Sequence, residues 1–365
     1  MELKEIVLKE NELEIKPDWG KIFKRKAPLF LEIGIGNGEF IVWIAKKNPE
    51  SNFIGVEVSK KYLRKAVNRV VNEGLKNVRL MYIEGSKFIS KFLERETLSG
   101  IYINFPDPWL KKKHKKRRLI SQPFIWLVAD RLTLEGFFLM VTDCEDYAKE
   151  VAELFSECPA FLPLWDSPVK INLIDYYLTK YARKWLSQGL PLFYIGFKKH
   201  KRVEIPEWVY KFYPLAKFSE EETLPENILE VNEKVDFFEL AKKLPRGIVW
   251  KREEEVIKIL DIYYKEDGIL IDTLVVKGFL KQRFFITIKL YQGKKIIIAI
   301  HDSDKPDITE EVHKAIIIVT LEIQKVFKNS RLVKSTCKRK FFEPLQSELL
   351  HKLKIEDKIS KLEKF

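Results

Sequence analysis

Short apolar runs and amphipathic stretches take turns along the chain from Leu29 to about Phe197. That is the pattern of a mostly parallel sheet with helices on both faces. Leu29–Ile33 reads as a buried strand ending in a glycine-rich turn. Gly38–Asn48 follows with Phe40, Ile41, Ile44 and Ala45 on one helical face and stops at Pro49. Asn52–Val58 reads as the second strand. Ser59 then caps a helix striped by Tyr62, Leu63, Ala66, Val67, Val70 and Val71, with Gly74 at its end. Val78–Ile83 and Gly100–Asn104 read as strands three and four. A helix around Pro123–Leu132, a strand Phe137–Thr142, a helix Asp146–Ser156 and a late strand Leu192–Phe197 complete the alternation.

After Lys198 the pattern changes. Residues 201–226 mix Pro, Glu and aromatics without a steady period and read as a connector. A second unit starts at Asn227, with β-like runs at Ile269–Gly278, Arg283–Tyr291 and Lys295–Ile300. Tyr291-Gln-Gly-Lys294 reads as a hairpin turn, and Ile308–Phe327 as a long helix. The expected division is a first domain over 1–200 with its core at 29–197, a connector over 201–226, and a smaller α+β extension over 227–365.

The 365 residues suffice for two domains with their own cores. Charge adds more. Lys and Arg number 66 against 53 Asp and Glu, a net of +13, of which +9 falls in the first 200 residues. Such an excess favours a polyanionic partner. Cys144, Cys158 and Cys337 are too few and too scattered for a disulfide framework or a C-x-x-C site. No apolar run reaches the ~18 residues of a membrane span, and Met1–Asn11 has no signal-like apolar segment. The expectation is a cytoplasmic protein with no membrane association.

Glu32-Ile-Gly-Ile-Gly-Asn-Gly38 lies between the first strand and its helix. Glycines there let the backbone turn sharply and approach a nucleotide-like ligand. Glu57, ending the next strand, can accept from two ribose hydroxyls. Dehydrogenases and methyltransferases both use such a turn. The third glycine comes two residues after the second, where a dinucleotide fingerprint has three. Glu32 would repel a pyrophosphate and suits the amino group of S-adenosyl-L-methionine, so that cofactor is favoured over nicotinamide or flavin.

Asn104-Phe-Pro-Asp-Pro-Trp109, followed by Lys111–Arg118, is more specific. Two prolines pin the backbone around Asp107, and Trp109 offers a rigid flat surface. Lys111–Arg118 holds seven Lys or Arg plus His114. A basic loop beside a methyl donor points to a nucleic acid, with phosphates on the loop and Asp107 near the reacting base. A methyltransferase of small molecules or proteins would not need the run. An RNA-binding module without catalysis would not need the intact Glu32, Gly34, Gly36, Gly38 and Glu57 set. His301-Asp-Ser-Asp304 reads as a polar turn, so no metal site is expected.

With these motifs in order, the chain resembles the bacterial single-subunit tRNA (guanine-N7-)-methyltransferase family. The matching stretches are Leu31–Gly38, Gly55–Val58, Phe105–Trp109 with His114 and Lys116–Arg118, Thr142-Asp143, and Thr179–Trp185 with Gly189. The resemblance implies a class I, Rossmann-like adenosylmethionine-dependent methyltransferase sheet over roughly 29–197. It implies tRNA as partner and N7 of the variable-loop guanosine at position 46 as acceptor. It places Glu32, Gly34, Gly36, Glu57, Glu84 and Asp107 around S-adenosyl-L-methionine, with Asp107 also the catalytic acid. Lys111, His114, Arg118, Asp143 and Thr179 fall on substrate contacts. Two positions depart from the family pattern: Glu84 stands where Asp is commoner, and Ala182 stands where the Thr-x-x-Glu element has its Glu. Asp175 is a candidate replacement for that acid. Residues 201–365 lie outside the resemblance, as an extension of the sort some thermophile members carry, there to grip tRNA or brace the fold. With donor motif and basic loop on one domain, a monomer suffices.

Overall fold

The computed structural model describes residues 3–109, 111–216, 224–342 and 345. Contacts divide the chain into two units, 1–216 and 217–365. In the first, short helical turns at Leu3–Ile6 and Trp19–Phe23 flank the two-residue strand β1 (Val7–Leu8). The alternation then runs β2 (Leu29–Ile33), α1 (Glu39–Lys47), β3 (Asn52–Glu57), α2 (Lys60–Asn72), β4 (Val78–Tyr82), α3 (Gly85–Phe92) and β5 (Leu98–Asn104). It continues with α4 (Gln122–Arg131), β6 (Leu132–Thr142), α5 (Glu145–Ser156), β7 (Phe161–Pro163), β8 (Val169–Ile171), α6 (Lys180–Leu186) and β9 (Phe193–Lys199).

The sheet order is β1-β4-β3-β2-β5-β6-β9-β7, with β8 also on β9. Strands β1 to β6 pair in parallel, and β9 runs antiparallel to β6. The order reverses between β2 and β5. Open α/β sheets bind ligands at such a switch point, outside the carboxyl ends of the strands.

Both faces are covered. Ile41, Ala45, Ala66, Val67 and Val70 of α1 and α2 pack over one face; Phe88, Phe92, Phe124, Val128, Tyr147 and Phe155 of α3 to α5 pack over the other. Double coverage explains why the central strands read as unbroken apolar runs. Two elements escape the period. Helix α3 opens on glycine and carries Lys87 and Lys91 in a buried stretch, so no polar face marks it. Short β7 and β8 expose Leu162 and Ile171 at the sheet edge.

The connector expectation needs correction over 201–216. Ile205, Val209, Tyr213 and Ala216 are buried in the first unit's main core, and their spacing of three to four residues seats two 3-10 turns, Glu207–Lys211 and Pro214–Ala216. Residues 217–223 of the expected connector, and the end of the extension after Phe342 except Leu345, lie outside the described residues.

Among its described residues the second unit holds an antiparallel sheet and two α-helices. Its elements are β10 (Glu226–Glu230), α7 (Phe237–Lys243), β11 (Gly247–Arg252), β12 (Glu255–Lys265), β13 (Gly268–Lys277), β14 (Leu280–Tyr291), β15 (Lys295–Ile300), α8 (Glu310–Val326) and β16 (Arg331–Ser335). The order is β11-β12-β13-β14-β15-β10-β16. Ile257, Ile271, Phe284, Ile286 and Ile298 line the face packed against Ile316, Val319 and Ile323 of α8. The turn between β14 and β15 has Gln292 and Gly293 at positive φ, as a tight hairpin requires. No helix among the described residues is long and apolar enough to cross a membrane.

Candidate active site

Five acids of the first unit, Glu32, Glu57, Glu84, Asp107 and Asp143, lie at or just after the ends of β2 to β6. Glu32 is 4% exposed near the end of β2. Its Oε1 accepts from Asn104 Nδ2 at 3.0 Å, while Oε2 is buried with no hydrogen-bond partner among the described residues. Burial pushes the Glu32 carboxyl up to about 8, against the opposing bond from Asn104. Asn104 is held in turn by Tyr176, whose hydroxyl donates to its Oδ1 at 2.8 Å. Tyr176 stacks on Phe40 of α1 at 5.1 Å. An unpartnered carboxylate oxygen in a dry setting needs a donor, preferably cationic.

The turn after Glu32 is built for close approach. Gly34 and Gly36 have φ of 75° and 53°, and a Cβ on either would meet nothing within 4 Å. Gly38 has a different reason: its Cβ would fall 2.8 Å from that of Ala66 on α2. Glu57 accepts from Gly36 N–H through Oε2, and from the N–H groups of Val58 and Ser59 through Oε1, each at 2.9 Å. Oε1 thus takes two hydrogen bonds and Oε2 one, so Oε2 retains accepting capacity for a hydroxyl. Glu84 caps α3, accepting from Ser86 and Lys87 N–H and from the Ser86 hydroxyl. It is exposed at the end of β4, one strand further along the same edge.

The loop after β5 is strained at both ends. Phe105 and Trp109 have φ of 54° and 40°, which bulky residues seldom adopt. Between them Pro106 and Pro108 bracket Asp107, which is exposed. Arg118 anchors this loop. It is 7% exposed, donates from Nε to the Pro108 carbonyl at 2.7 Å, pairs with Glu150 at 2.5 Å and lies over the Tyr147 ring. Those partners commit Arg118 to the protein interior. Lys111 is exposed, His114 lies 5.7 Å from the Trp109 ring, and Arg117 lies over that ring at 5.2 Å.

The remaining residues converge from β6 and α6. Asp143 accepts from the Tyr181 hydroxyl at 2.6 Å, and this bond pushes the phenol up to about 12. Tyr181 meets Phe105 edge-on and lies parallel to Trp185. Thr179 is the N-cap of α6, accepting from Ala182 N–H at 3.1 Å. Ala182 is 1% exposed among Val141, Leu192 and Tyr194. A Glu side chain there would need a partner in an apolar cluster. Asp175 is exposed with φ of 66°. Glu39 joins the glycine turn to α6, accepting from Asn37 Nδ2 and Lys180 N–H. Sequence reading assigned no role to Asn104, Tyr176, Tyr181 or Glu39. The first opens the Pro-Asp-Pro motif and Tyr181 sits inside the Thr179 element, so position marked them while residue type did not. Among the described residues no group of His, Cys, Asp and Glu is placed to hold a metal.

The sheet order, the glycine turn at the switch point and two acids at neighbouring strand ends define a class I adenosylmethionine-dependent methyltransferase. The site fits that donor: Glu32 Oε2 can receive its ammonium, and Glu57 Oε2 a ribose hydroxyl. Residues 26–195 match a family described as putative methyltransferase. The tRNA (guanine-N(7)-)-methyltransferase of Thermotoga maritima is 30% identical over 303 residues, covering 80% of this chain and 91% of that protein. That of Aquifex aeolicus is 33% identical over 273 residues, covering 74% and 85%. That of Syntrophotalea carbinolica is 34% identical over 193 residues, covering 53% and 83%. The chain belongs to the tRNA (guanine-N(7)-)-methyltransferase family. The first two matches are longer than the first unit, so likeness extends into the second.

Proposed function

We propose that this tRNA (guanine-N7-)-methyltransferase acts in the cytoplasm as a monomer on the variable-loop guanosine at position 46. One observation carries the reading: the unpartnered buried Glu32 oxygen and the exposed Asp107 end adjacent strands β2 and β5, with the basic run directly following. A cationic donor site and a polyanion-gripping loop thus share one edge of one sheet.

When bound, S-adenosyl-L-methionine supplies a methyl carbon already activated for displacement. Glu32 holds the amino end, Gly34 and Gly36 leave room for backbone approach, and Glu57 and Glu84 face the nucleoside end. Guanine N7 carries an in-plane lone pair and no proton, so the chain needs no general base. Its task is alignment, an effect worth up to ~7–11 kcal/mol. Asp107 accepts from guanine N1–H and the exocyclic amine, which rejects adenine, and it offsets the positive charge that builds on the base. Asp143, oriented by Tyr181, is the second acid facing the base. Lys111, His114 and Thr179 contact the substrate, and Arg118 acts on it by fixing the Pro108 carbonyl and so the pose of Asp107. N7 is engaged in folded RNA, so the guanosine must be partly exposed when it enters.

The test is methyl transfer from labelled donor to an unmodified tRNA transcript, followed by strand scission at 7-methylguanosine. One cut in the variable loop is expected. Label at another guanosine would keep the activity and overturn the position; label at no guanine N7 would overturn the reading of the site.

A further inference from the structure

The second unit's sheet has two unlike faces. One is closed by α8 and lined with Ile and Phe. Strand register assigns the other. Tyr263 of β12 pairs with Leu270 of β13, which pairs with Thr287 of β14. Lys258 pairs with Leu274, and Leu274 with Arg283; Asp272 pairs with Phe285. Side chains alternate along each strand, and a bulge between Ile259 and Asp261 shifts the phase of β12, so Lys258, Tyr263, Lys281, Arg283, Phe285 and Lys289 share this second face.

Two features set it apart from an ordinary solvated face. At its middle the rings of Tyr263 and Phe285 meet edge-on at 6.3 Å, and Tyr263 is 50% exposed. Around them the charge is unbalanced. Asp272 is bound by Arg283 through two hydrogen bonds, and Asp261 lies 4.0 Å from Arg246. Lys258, Lys281 and Lys289 have no ion-pair partner among the described residues. On the closed face the opposite holds, with Glu255 paired to both Lys277 and Lys314. Lys281 and Lys289 stand about 27 Å apart along β14, at 3.4 Å per residue. A strip that long exceeds any single small anion and suits several successive phosphates.

We propose that this face of the second unit binds the tRNA substrate, with Lys258, Lys281 and Lys289 on phosphates and Tyr263, backed by Phe285, stacking an unpaired base. Exposed aromatics on a sheet, rimmed by free cations, are the physical requirement for binding unstacked RNA. The proposal rests on tRNA being the substrate. It assigns the extension a part in binding and none in the transfer step.

The experiment uses the full chain and one tRNA transcript, with binding followed by fluorescence anisotropy over a salt series. The triple variant Lys258→Gln, Lys281→Gln, Lys289→Gln should raise Kd about tenfold or more at low salt. Its log–log salt slope should fall by about 2 to 3, since each lost phosphate contact removes 0.7–0.9. Saturating kcat should stay at the wild-type value. Tyr263→Ala should raise Kd several-fold, and Tyr263→Phe should restore it, because stacking uses the ring and not the hydroxyl. Unchanged Kd and slope in the triple variant would overturn the proposal, including the case in which the face takes a protein instead. Wild-type chain that methylates no tRNA would instead bring down the substrate reading on which the proposal stands.

Discussion

The two sheets of this protein solve different problems. The first is mostly parallel and its central strands are buried on both faces, so they carry no chemistry along their length. The acids of the site emerge where strands end, and the switch point between β2 and β5 collects Glu32, Asn104 and Asp107 there. The second is antiparallel, closed by a helix on one face and open on the other, so polar residues such as Lys281, Arg283 and Lys289 are spread along β14 rather than gathered at its end. An edge concentrates a few groups at one point, as bond-making needs. A face spreads them over tens of ångströms, as a grip on a polymer needs.

The largest effect should come from the edge. Asp107→Ala is expected to lower kcat by about 100-fold or more with Tm and circular dichroism unchanged. Retained kcat would mean that the exposed acid between two prolines is a turn residue only.

Glu32→Gln should separate binding from stability. It removes the carboxyl we propose for the donor's ammonium, and calorimetry should show adenosylmethionine affinity down by at least tenfold. The same change should stabilise the unliganded chain at high pH. Its carboxyl, near 4.5 when unfolded and about 8 when folded, contributes stability below pH 4.5 that is lost as pH rises towards 8. Above pH 8 the variant should melt ~3 °C or more higher than the parent. A variant that melts lower there would show that the buried carboxylate already has a partner in the free protein.

A smaller change is expected from Tyr181→Phe, which leaves Asp143 without its donor. It should cost ~1 kcal/mol, about fivefold in kcat/KM for tRNA, with adenosylmethionine affinity unchanged. Equal loss for both would make the tyrosine a packing residue of α6.

The remaining effect belongs to the second unit and leaves methyl transfer untouched. Burial holds His313 of α8 down at about 4. The unfolded chain protonates it near 6.5, so the second unit should lose stability as pH falls from 6.5 towards 4. His313→Gln should flatten that part of the Tm–pH curve; an unchanged slope would assign the acid sensitivity to other groups.

Much of this was readable along the chain. Leu29–Ile33 and Asn52–Glu57 announced themselves because a strand covered on both faces must be apolar throughout. Glycines at 34, 36 and 38 announced a turn because few other residues take a positive φ. Helix α3 was hidden because buried Lys91 reaches Glu10 for its charge, a partner 81 positions away. Strand β12 was hidden by Lys258, Asp261 and the two tyrosines, which lie where a one-sided sheet permits them. The wet half of the second sheet was legible only once register was known.

Sequence alone determined most of the strand–helix alternation of the first unit, the donor turn and the basic run beside Asp107, because each follows from local sterics or local charge. Tertiary structure decided which of those charges are free. Arg118 lies in the same basic run as Lys111, yet one is sealed against Tyr147 and Glu150 and the other faces solvent. It also decided that Tyr176 reaches Asn104, that Tyr181 reaches Asp143, and that residues 205–216 belong to a core. These are contacts between segments far apart in the chain, and burial, not residue type, sets what a charge or a hydroxyl can do.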